Sequence, residues 1–109
     1  WNTGLGKTKI STESVLYIKT SEIDSRDKVA ILDDYSELTL KNINFRSLLE
    51  LLPKEHFVQI NKKEVISIKI IKAFSGTVIV TTLSESTGLP LKLQLSHAYK
   101  DAFEKMMKI

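Results

Sequence analysis

The sequence lacks several features that would point to particular classes of protein. It contains no cysteine, so neither a disulfide framework nor a thiolate metal site is possible. No apolar run approaches the ~18–20 residues that a membrane span needs, and no signal peptide is visible. A reducing cytoplasm is compatible with the missing cysteine. We therefore expect a cytoplasmic domain that makes no membrane contact.

Groups that could carry out catalysis are also scarce. The only histidines are His56 and His97, and neither has a partner set by the spacing. There is no Gly-rich phosphate loop, no nucleophile elbow and no His/acid spacing that fits a metal. Carboxylates do cluster between residues 22 and 37, where the solvation of turns explains them. We therefore expect no enzyme, no cofactor and no metal.

What the sequence does contain is typical of one folded domain. A chain of 109 residues leaves no room for a second core of normal size. The hydrophobic fraction of 42% is ample for burial, and the 27% of charged residues mix both signs, which argues against disorder. The first residues, Trp1 and Asn2, include no Met, so we expect the domain to belong to a longer chain.

Positive charge is concentrated in the second half of the chain. The net charge of +3 is modest, and a merely solvated surface explains it equally well. Residues 22–37, however, carry six acids against two basic residues, whereas residues from 54 onward carry nine lysines against five acids. Such asymmetry is what a one-sided electrostatic footprint for nucleic acid requires.

Alternating and β-branched runs predict a mostly β fold of about eight strands. The predicted strands cover residues 7–10, 15–18, 28–32, 37–40, 57–60, 68–74, 77–83 and 89–95. Residues 1–6 are interpreted as a loose lead-in, and residues 20–27 as a loop. Gly76 after Ser75 is a strong hairpin signal, because glycine accepts positive φ without steric cost. Pro90 indicates an edge position or a strand entry for the last strand.

Two short helices complete the predicted fold. Asn44 caps the first, whose apolar stripe falls at helical spacing and which ends before Pro53. That stripe is formed by Phe45, Leu48, Leu49 and Leu52. Ser96 caps the second, which runs from His97 to about Lys108. Its predicted inner face consists of Tyr99, Ala102, Phe103 and Met106.

The central stretch of the chain is FVQINKKEVIS, residues 57–67. Its strand-like alternation breaks at Asn61, Lys62, Lys63 and Glu64 and resumes as Val65 and Ile66. Two apolar strands thus hold a doubly cationic segment in a fixed place, where an anion could meet it. Lysine contacts phosphate and donates to guanine, and asparagine pairs with adenine. The alternative is an exposed cationic turn that serves only solubility.

The start of the second helix is another candidate contact. A helix N-terminus presents free N–H groups and the positive end of a dipole, which favour phosphate. His97 could donate to guanine acceptors from this position. The alternatives are a plain N-cap for Ser96, which is compatible with a DNA role, and an ordinary exposed first-turn residue for His97.

Both segments resemble the LytTR family of bacterial DNA-binding domains. Members share a motif of eleven positions. In order, these are an aromatic residue, any residue, a basic residue, Ile, His, either Arg or Lys, Ser, any residue, Ile, Val and Asn. Phe57, Ile60, Lys62, Val65 and Ile66 fit that pattern. Departures occur where Arg, His, Ser and Asn are usual, namely at Gln59, Asn61, Lys63 and Ser67.

The resemblance extends to other parts of the chain. Family members place a hydrophobic-Leu-Tyr-Ile-Glu segment where this chain has residues 15–19, with Lys19 in place of the acid. They also carry a Leu-Pro strand followed by Ser-Arg, any residue, Tyr and a basic residue. Leu89, Pro90, Ser96, Tyr99 and Lys100 match that second pattern, and His97 takes the position of the arginine.

The resemblance implies a fold and a function. The fold would be an elongated stack of small antiparallel sheets with two short helices, over residues 1–109 as a single domain. The function would be sequence-specific binding of double-stranded DNA, by loops that enter successive major grooves. Two copies would act as a dimer on a repeated site. The domain would be the C-terminal output module of a bacterial two-component regulator, behind a receiver or sensor domain.

The same resemblance adds Arg26 and Lys28 to the candidate DNA-contacting residues, because the family uses the loop that contains them as an outer DNA contact. Asp27 between them would repel phosphate, so a merely solvated loop is an equal alternative for this segment. Two other functions stay open. One is a pleckstrin-homology-like module that binds phosphoinositides or peptides, and the other is a LytTR-like domain that has lost DNA binding.

Overall fold

The computed structural model describes residues 1–107, which form ten β-strands and two α-helices. The strands are β1 (Asn2–Thr3), β2 (Gly6–Lys7), β3 (Val15–Thr20), β4 (Lys28–Leu32), β5 (Glu37–Leu40), β6 (Phe57–Asn61), β7 (Glu64–Ser67), β8 (Ile71–Ser75), β9 (Val78–Ser84) and β10 (Pro90–Gln94). The helices are α1 (Phe45–Leu51) and α2 (His97–Met106). The molecule measures 39 × 32 × 24 Å.

The strands form two antiparallel sheets, which confirms the predicted fold class. The larger sheet has seven strands in the order β2-β1-β5-β4-β3-β7-β6, so β6 lies at one of its edges. The smaller sheet has the order β10-β9-β8. Its strand β10 begins at Pro90 and lies at an edge, where the missing N–H of proline removes no bond from a central ladder.

One hydrophobic core, called here the α2-side core, packs α2 and the smaller sheet against one face of the larger sheet. Its buried residues are Leu16, Tyr17, Val58, Ile60, Ile66, Ile70, Ile79, Leu83, Leu93, Leu95 and Phe103. Phe103 of α2 is fully buried and meets Phe74 edge to face, with ring centroids 5.1 Å apart. This contact fixes α2 over the smaller sheet.

A second core, called here the α1-side core, packs α1 against the larger sheet. Its buried residues are Val15, Ile18, Ala30, Leu40, Phe45, Leu48, Leu52, Phe57 and Val65. Consecutive residues of β6 divide between the two cores, with Phe57 in this one and Val58 in the other. The alternation predicted for β6 is therefore confirmed, and β3 is buried on both faces as its apolar run predicted.

Several elements form where the sequence predicts them. Strands β4 and β5 pair as a hairpin over the predicted residues, and β8 and β9 join through Gly76, whose φ is +60°. Helix α1 begins after Asn44, whose side chain accepts a hydrogen bond of 2.8 Å from the Ser47 N–H. The helix ends at Leu51, and Leu52 is extended just before Pro53.

Other predicted elements are corrected by the structure. Residues 1–6 are no loose lead-in, because β1 and β2 pair as a small hairpin whose Thr3 hydroxyl donates to the Gly6 carbonyl at 3.0 Å. Of the strand predicted over residues 7–10, only Lys7 is in a strand. The first part of the strand predicted over residues 68–74 is a 3-10 helix (Ile68–Ile70), which the Ser67 side chain caps.

The second helix differs from its prediction in three respects. Ser96 occupies the N-cap position, but its hydroxyl makes no capping hydrogen bond within residues 1–107. Ala102, predicted to face inward, is exposed. The helix ends at Met106, and the predicted end near Lys108 lies outside the described residues. No helix within residues 1–107 is long and apolar enough to cross a membrane.

Candidate nucleic-acid interface

The turn between β6 and β7, residues 61–64, is held by its own polar side chains. The Asn61 amide donates to the Glu64 carboxylate at 2.7 Å and to the Gln94 carbonyl at 2.8 Å. Its carbonyl oxygen accepts from the Lys63 N–H at 2.8 Å. The Tyr17 hydroxyl donates to the other Glu64 oxygen, and burial, assisted by this bond, raises the pKa of Tyr17. The network ties the 61–64 turn to β3 and to the end of β10.

This network bears on the predicted role of Asn61. Asn61 was predicted to pair with adenine, but both groups of its side-chain amide are already bonded inside the protein. Pairing with a base would break bonds that hold the turn. The amide therefore positions the turn, and we do not retain Asn61 as a base-reading residue.

Lys62 and Lys63 are both exposed at the tip of the 61–64 turn. The Lys63 carbonyl accepts a hydrogen bond of 2.9 Å from the Thr20 N–H, which connects the turn to the end of β3. Within residues 1–107 neither ammonium makes an ion pair. Both cations are therefore available to an anionic ligand.

The N-terminus of α2 lies beside the same turn. The Ser96 N–H donates to the Ile60 carbonyl at 2.8 Å, which fixes the start of the helix against the end of β6. His97 is exposed and Lys100 is half-buried. Because the Ser96 hydroxyl is not used as a cap, it is available as a hydrogen-bond donor or acceptor.

The segment between β3 and β4, called here the 21–27 loop, is built by local hydrogen bonds. The Ser21 hydroxyl accepts from the Ile23 N–H at 3.2 Å, and the Asp24 carboxylate accepts from the Arg26 N–H at 3.0 Å. The Arg26 guanidinium also forms an ion pair of 2.8 Å with Asp24. This pairing lowers the pKa of Asp24 to about 2 and raises that of Arg26. Arg26 is exposed but already neutralised.

Lys28 is a second predicted contact whose surroundings bear on its role. It was predicted to contact DNA, yet its residue is only 5% exposed. Its ammonium donates to the Ser25 carbonyl at 3.1 Å and lies 5.2 Å from the centre of the Phe45 ring. Burial lowers the pKa of Lys28. This side chain is part of the interior, and we do not retain it as a phosphate contact.

Ile23, in the same loop, is not among the contact residues predicted from the sequence. Its side chain is 98% exposed, although isoleucine is among the residues most often buried. The backbone around it is held by the N–H groups of Ile23 and Arg26, which donate to the side chains of Ser21 and Asp24, so the exposure follows from an ordered loop. The only signal in the sequence was an isoleucine inside a polar segment without periodicity.

The structure therefore brings most predicted contact segments to one place. The 21–27 loop follows the strand that bonds to Lys63, and α2 starts where Ser96 bonds to the end of β6. Lys62, Lys63, Ser96 and His97 belong to these neighbouring segments, and Arg26 lies in the adjoining loop. Lys100 lies one helical turn further along α2.

Comparison with known proteins identifies the fold. No protein-family model matches this chain, and no curated protein matches it. A search of solved structures matches one described as the LytTr DNA-binding domain of a methyl-accepting/DNA response regulator from Bacillus cereus. The TM-score is 0.71 with 19% sequence identity, over 98% of this chain and 93% of that one. The resemblance to the LytTR family is thus confirmed for the fold, which leaves the pleckstrin-homology alternative without a structural basis.

Proposed function

We propose that this domain binds double-stranded DNA in a sequence-specific manner, through the 61–64 turn, the start of α2 and the 21–27 loop. One observation carries the proposal: backbone hydrogen bonds at Lys63 and Ile60 hold these separate segments together, beside two lysines that form no ion pair in the described part of the chain. An ordered cationic surface assembled from loops suits a ligand that is itself extended and anionic. The LytTr fold supports the same conclusion.

Lys62 and Lys63 are the proposed phosphate contacts. Each is exposed, and neither is paired with an acid within residues 1–107. Binding would release the counterions that phosphates hold, so affinity would fall steeply as salt rises. Arg26 would join this contact only by exchanging Asp24 for a phosphate, which makes it the weaker partner.

Base reading is assigned to the start of α2 and to Ile23. His97 and Ser96 would donate to base edges or phosphates from the first turn of the helix, and Lys100 would support them from the next. Ile23 would contact the methyl group of a thymine, the apolar feature of the major groove. Asn61 would hold the turn and read no base.

The wider context follows from the same proposal. The domain would act as the output module of a transcription regulator, in the compartment that holds the chromosome, with a receiver or sensor domain upstream. Two copies would bind a repeated site, one copy per half-site. The description of the Bacillus cereus neighbour as part of a response regulator is consistent with this arrangement.

Selection from random duplexes tests the proposal directly. The domain is expected to enrich a repeated motif and to bind it far more tightly than a shuffled duplex of the same length. The Lys62→Ala/Lys63→Ala double variant should lose about tenfold or more in affinity for that motif. A matched control, Lys69→Ala/Lys72→Ala, removes two exposed lysines outside the candidate interface and should change affinity less than twofold. Failure to enrich any motif would contradict the proposal.

A further inference from the structure

A cleft of about 910 Å³ lies along the edge strand β6, between α1 and α2. Phe57 and Val58 both line it, although they belong to the two different cores. The cleft therefore opens at the sheet edge, with one helix on each side. Its other apolar walls include Leu49 of α1 and Met106 of α2. Its size falls within the range of small-molecule sites.

The charges around this cleft are unbalanced. Of residues 1–107, four cations line it, Lys28, Arg46, Lys54 and Lys62, against the single acid Glu50. Apolar walls with a cationic border match the shape of an amphiphile that carries a negative head. The 21–27 loop contributes Ser25 to the same lining, next to Lys28.

Lys28 is the most informative of these cations. It is buried, and within residues 1–107 no carboxylate lies within ion-pair distance of its ammonium. Only one hydrogen bond, to the Ser25 carbonyl, is formed by a group that has three donors. Burial lowers the pKa of Lys28, although the charges of Asp27 and Asp24 act in the opposite direction. The Phe45 ring contacts the ammonium, but a buried charge that lacks an ion-pair partner is still costly. An anion in the cleft would supply the missing partner.

We propose that this cleft binds a single-chain anionic amphiphile, with its carboxylate at the Lys28 ammonium and its apolar tail between Leu49, Val58 and Met106. The carboxylate of the ligand would accept hydrogen bonds from the two N–H groups of the Lys28 ammonium that remain free. The tail would cover apolar surface along the edge of β6. This proposal does not rest on DNA binding, since Lys62 is the only one of the proposed phosphate- and base-contacting residues that lines the cleft.

Decanoate, below its micelle concentration, is a suitable probe. When decanoate is titrated into the labelled domain, the amide chemical shifts of residues 45–58 and 99–106 should change, and calorimetry gives the affinity. Decyltrimethylammonium, with the same tail and the opposite charge, should bind about tenfold more weakly or not at all. Equal binding of both probes, or shifts spread over the smaller sheet, would overturn the proposal.

Variants of the cleft separate its head and tail contacts. Lys28→Met should weaken decanoate about tenfold and leave decanol within twofold, because it removes the charge and keeps the length. The control Lys72→Met removes a cation outside the cleft and should leave decanoate within twofold. Ala102→Phe fills the cleft from an exposed position on α2 and should block both ligands. Unchanged decanoate affinity in Ala102→Phe would overturn the proposal even if Lys28→Met failed to fold.

A membrane surface is the other source of an anionic head with apolar tails. Vesicles of phosphatidylglycerol should not retain the domain at physiological salt, because the cleft accepts one chain along a single strand edge. If these vesicles retained the domain and decanoate did not compete with that binding, the proposed site for a single molecule would be overturned.

Discussion

The 61–64 turn and the 21–27 loop lie at the same end of the molecule, but they use their charged residues in opposite ways. In the turn, the polar side chains bond to one another and to β10, while Lys62 and Lys63 make no ion pair with any residue from 1 to 107. In the loop, Arg26 is neutralised by Asp24, and the side chain left fully exposed is Ile23. One segment offers charge to a ligand, whereas the other offers an apolar surface.

This difference explains why counting cations is a poor guide to a contact surface. The free energy of a phosphate contact depends on whether the cation must first give up an internal partner. Among the described residues, Lys62 and Lys63 have no ion pair to give up, while Arg26 must give up an ion pair of 2.8 Å. The two segments should therefore respond differently to mutation.

The largest effect is expected where the turn is dismantled. Asn61→Ala removes the bonds to Glu64, Gln94 and Lys63, and should lower the free energy of unfolding by about 2 kcal/mol. DNA affinity should fall about tenfold for every sequence alike, because the lysines lose their fixed position. Thermal unfolding and a duplex panel measure the two effects, with exposed Asn2→Ala as the control. A loss confined to one base position would restore Asn61 as an adenine reader.

A smaller effect of opposite sign is expected in the loop. Asp24→Asn keeps the oxygen that accepts from the Arg26 N–H but removes the carboxylate charge. Because Arg26 would then be free to contact a phosphate, DNA affinity should rise about threefold. The slope of log affinity against log salt should become steeper by up to about one unit. Asp34→Asn, in the turn between β4 and β5, removes an acid of equal charge and serves as the control. An equal gain in both variants would show that net charge alone is responsible.

The smallest effect concerns the apolar contact at Ile23. If Ile23 meets a thymine methyl, replacing that thymine with deoxyuridine should weaken binding about fourfold, the equivalent of one methyl group. In Ile23→Ala the same replacement should have almost no effect. If replacing each thymine of the selected site in turn left the affinity unchanged, Ile23 would not be part of the interface. The proposed role of the lysines would be unaffected by that result. If the wild-type domain bound no duplex at all, the proposed function itself would be contradicted.

Much of the fold was predictable because its signals are local. The hairpin of β4 and β5, the cap at Asn44 and the stop at Pro53 each depend on residues adjacent in sequence. The hairpin at Asn2–Thr3 and Gly6–Lys7 was missed because it has only two residues per strand and no apolar alternation. The 3-10 helix at Ile68–Ile70 was hidden inside a β-branched run, and the Ser67 cap decides it.

The candidate site was less predictable, since its side chains are assigned by long-range contacts. Asn61 bonds to Gln94, which lies 33 residues away, and nothing near Asn61 in the sequence indicates that bond. Lys28 stands beside loop residues in the sequence, but its position on β4 places it under α1, against Phe45. Burial of a lysine depends on which element packs over it, and that is a tertiary property.

The central claim is that Lys62 and Lys63 neutralise DNA phosphates from a turn held in place by Asn61. The most direct test is the slope of log affinity against log salt, measured for the wild type and for Lys62→Ala/Lys63→Ala on the selected duplex. The account predicts a slope that is shallower by up to about two units in the double variant. An unchanged slope would contradict it.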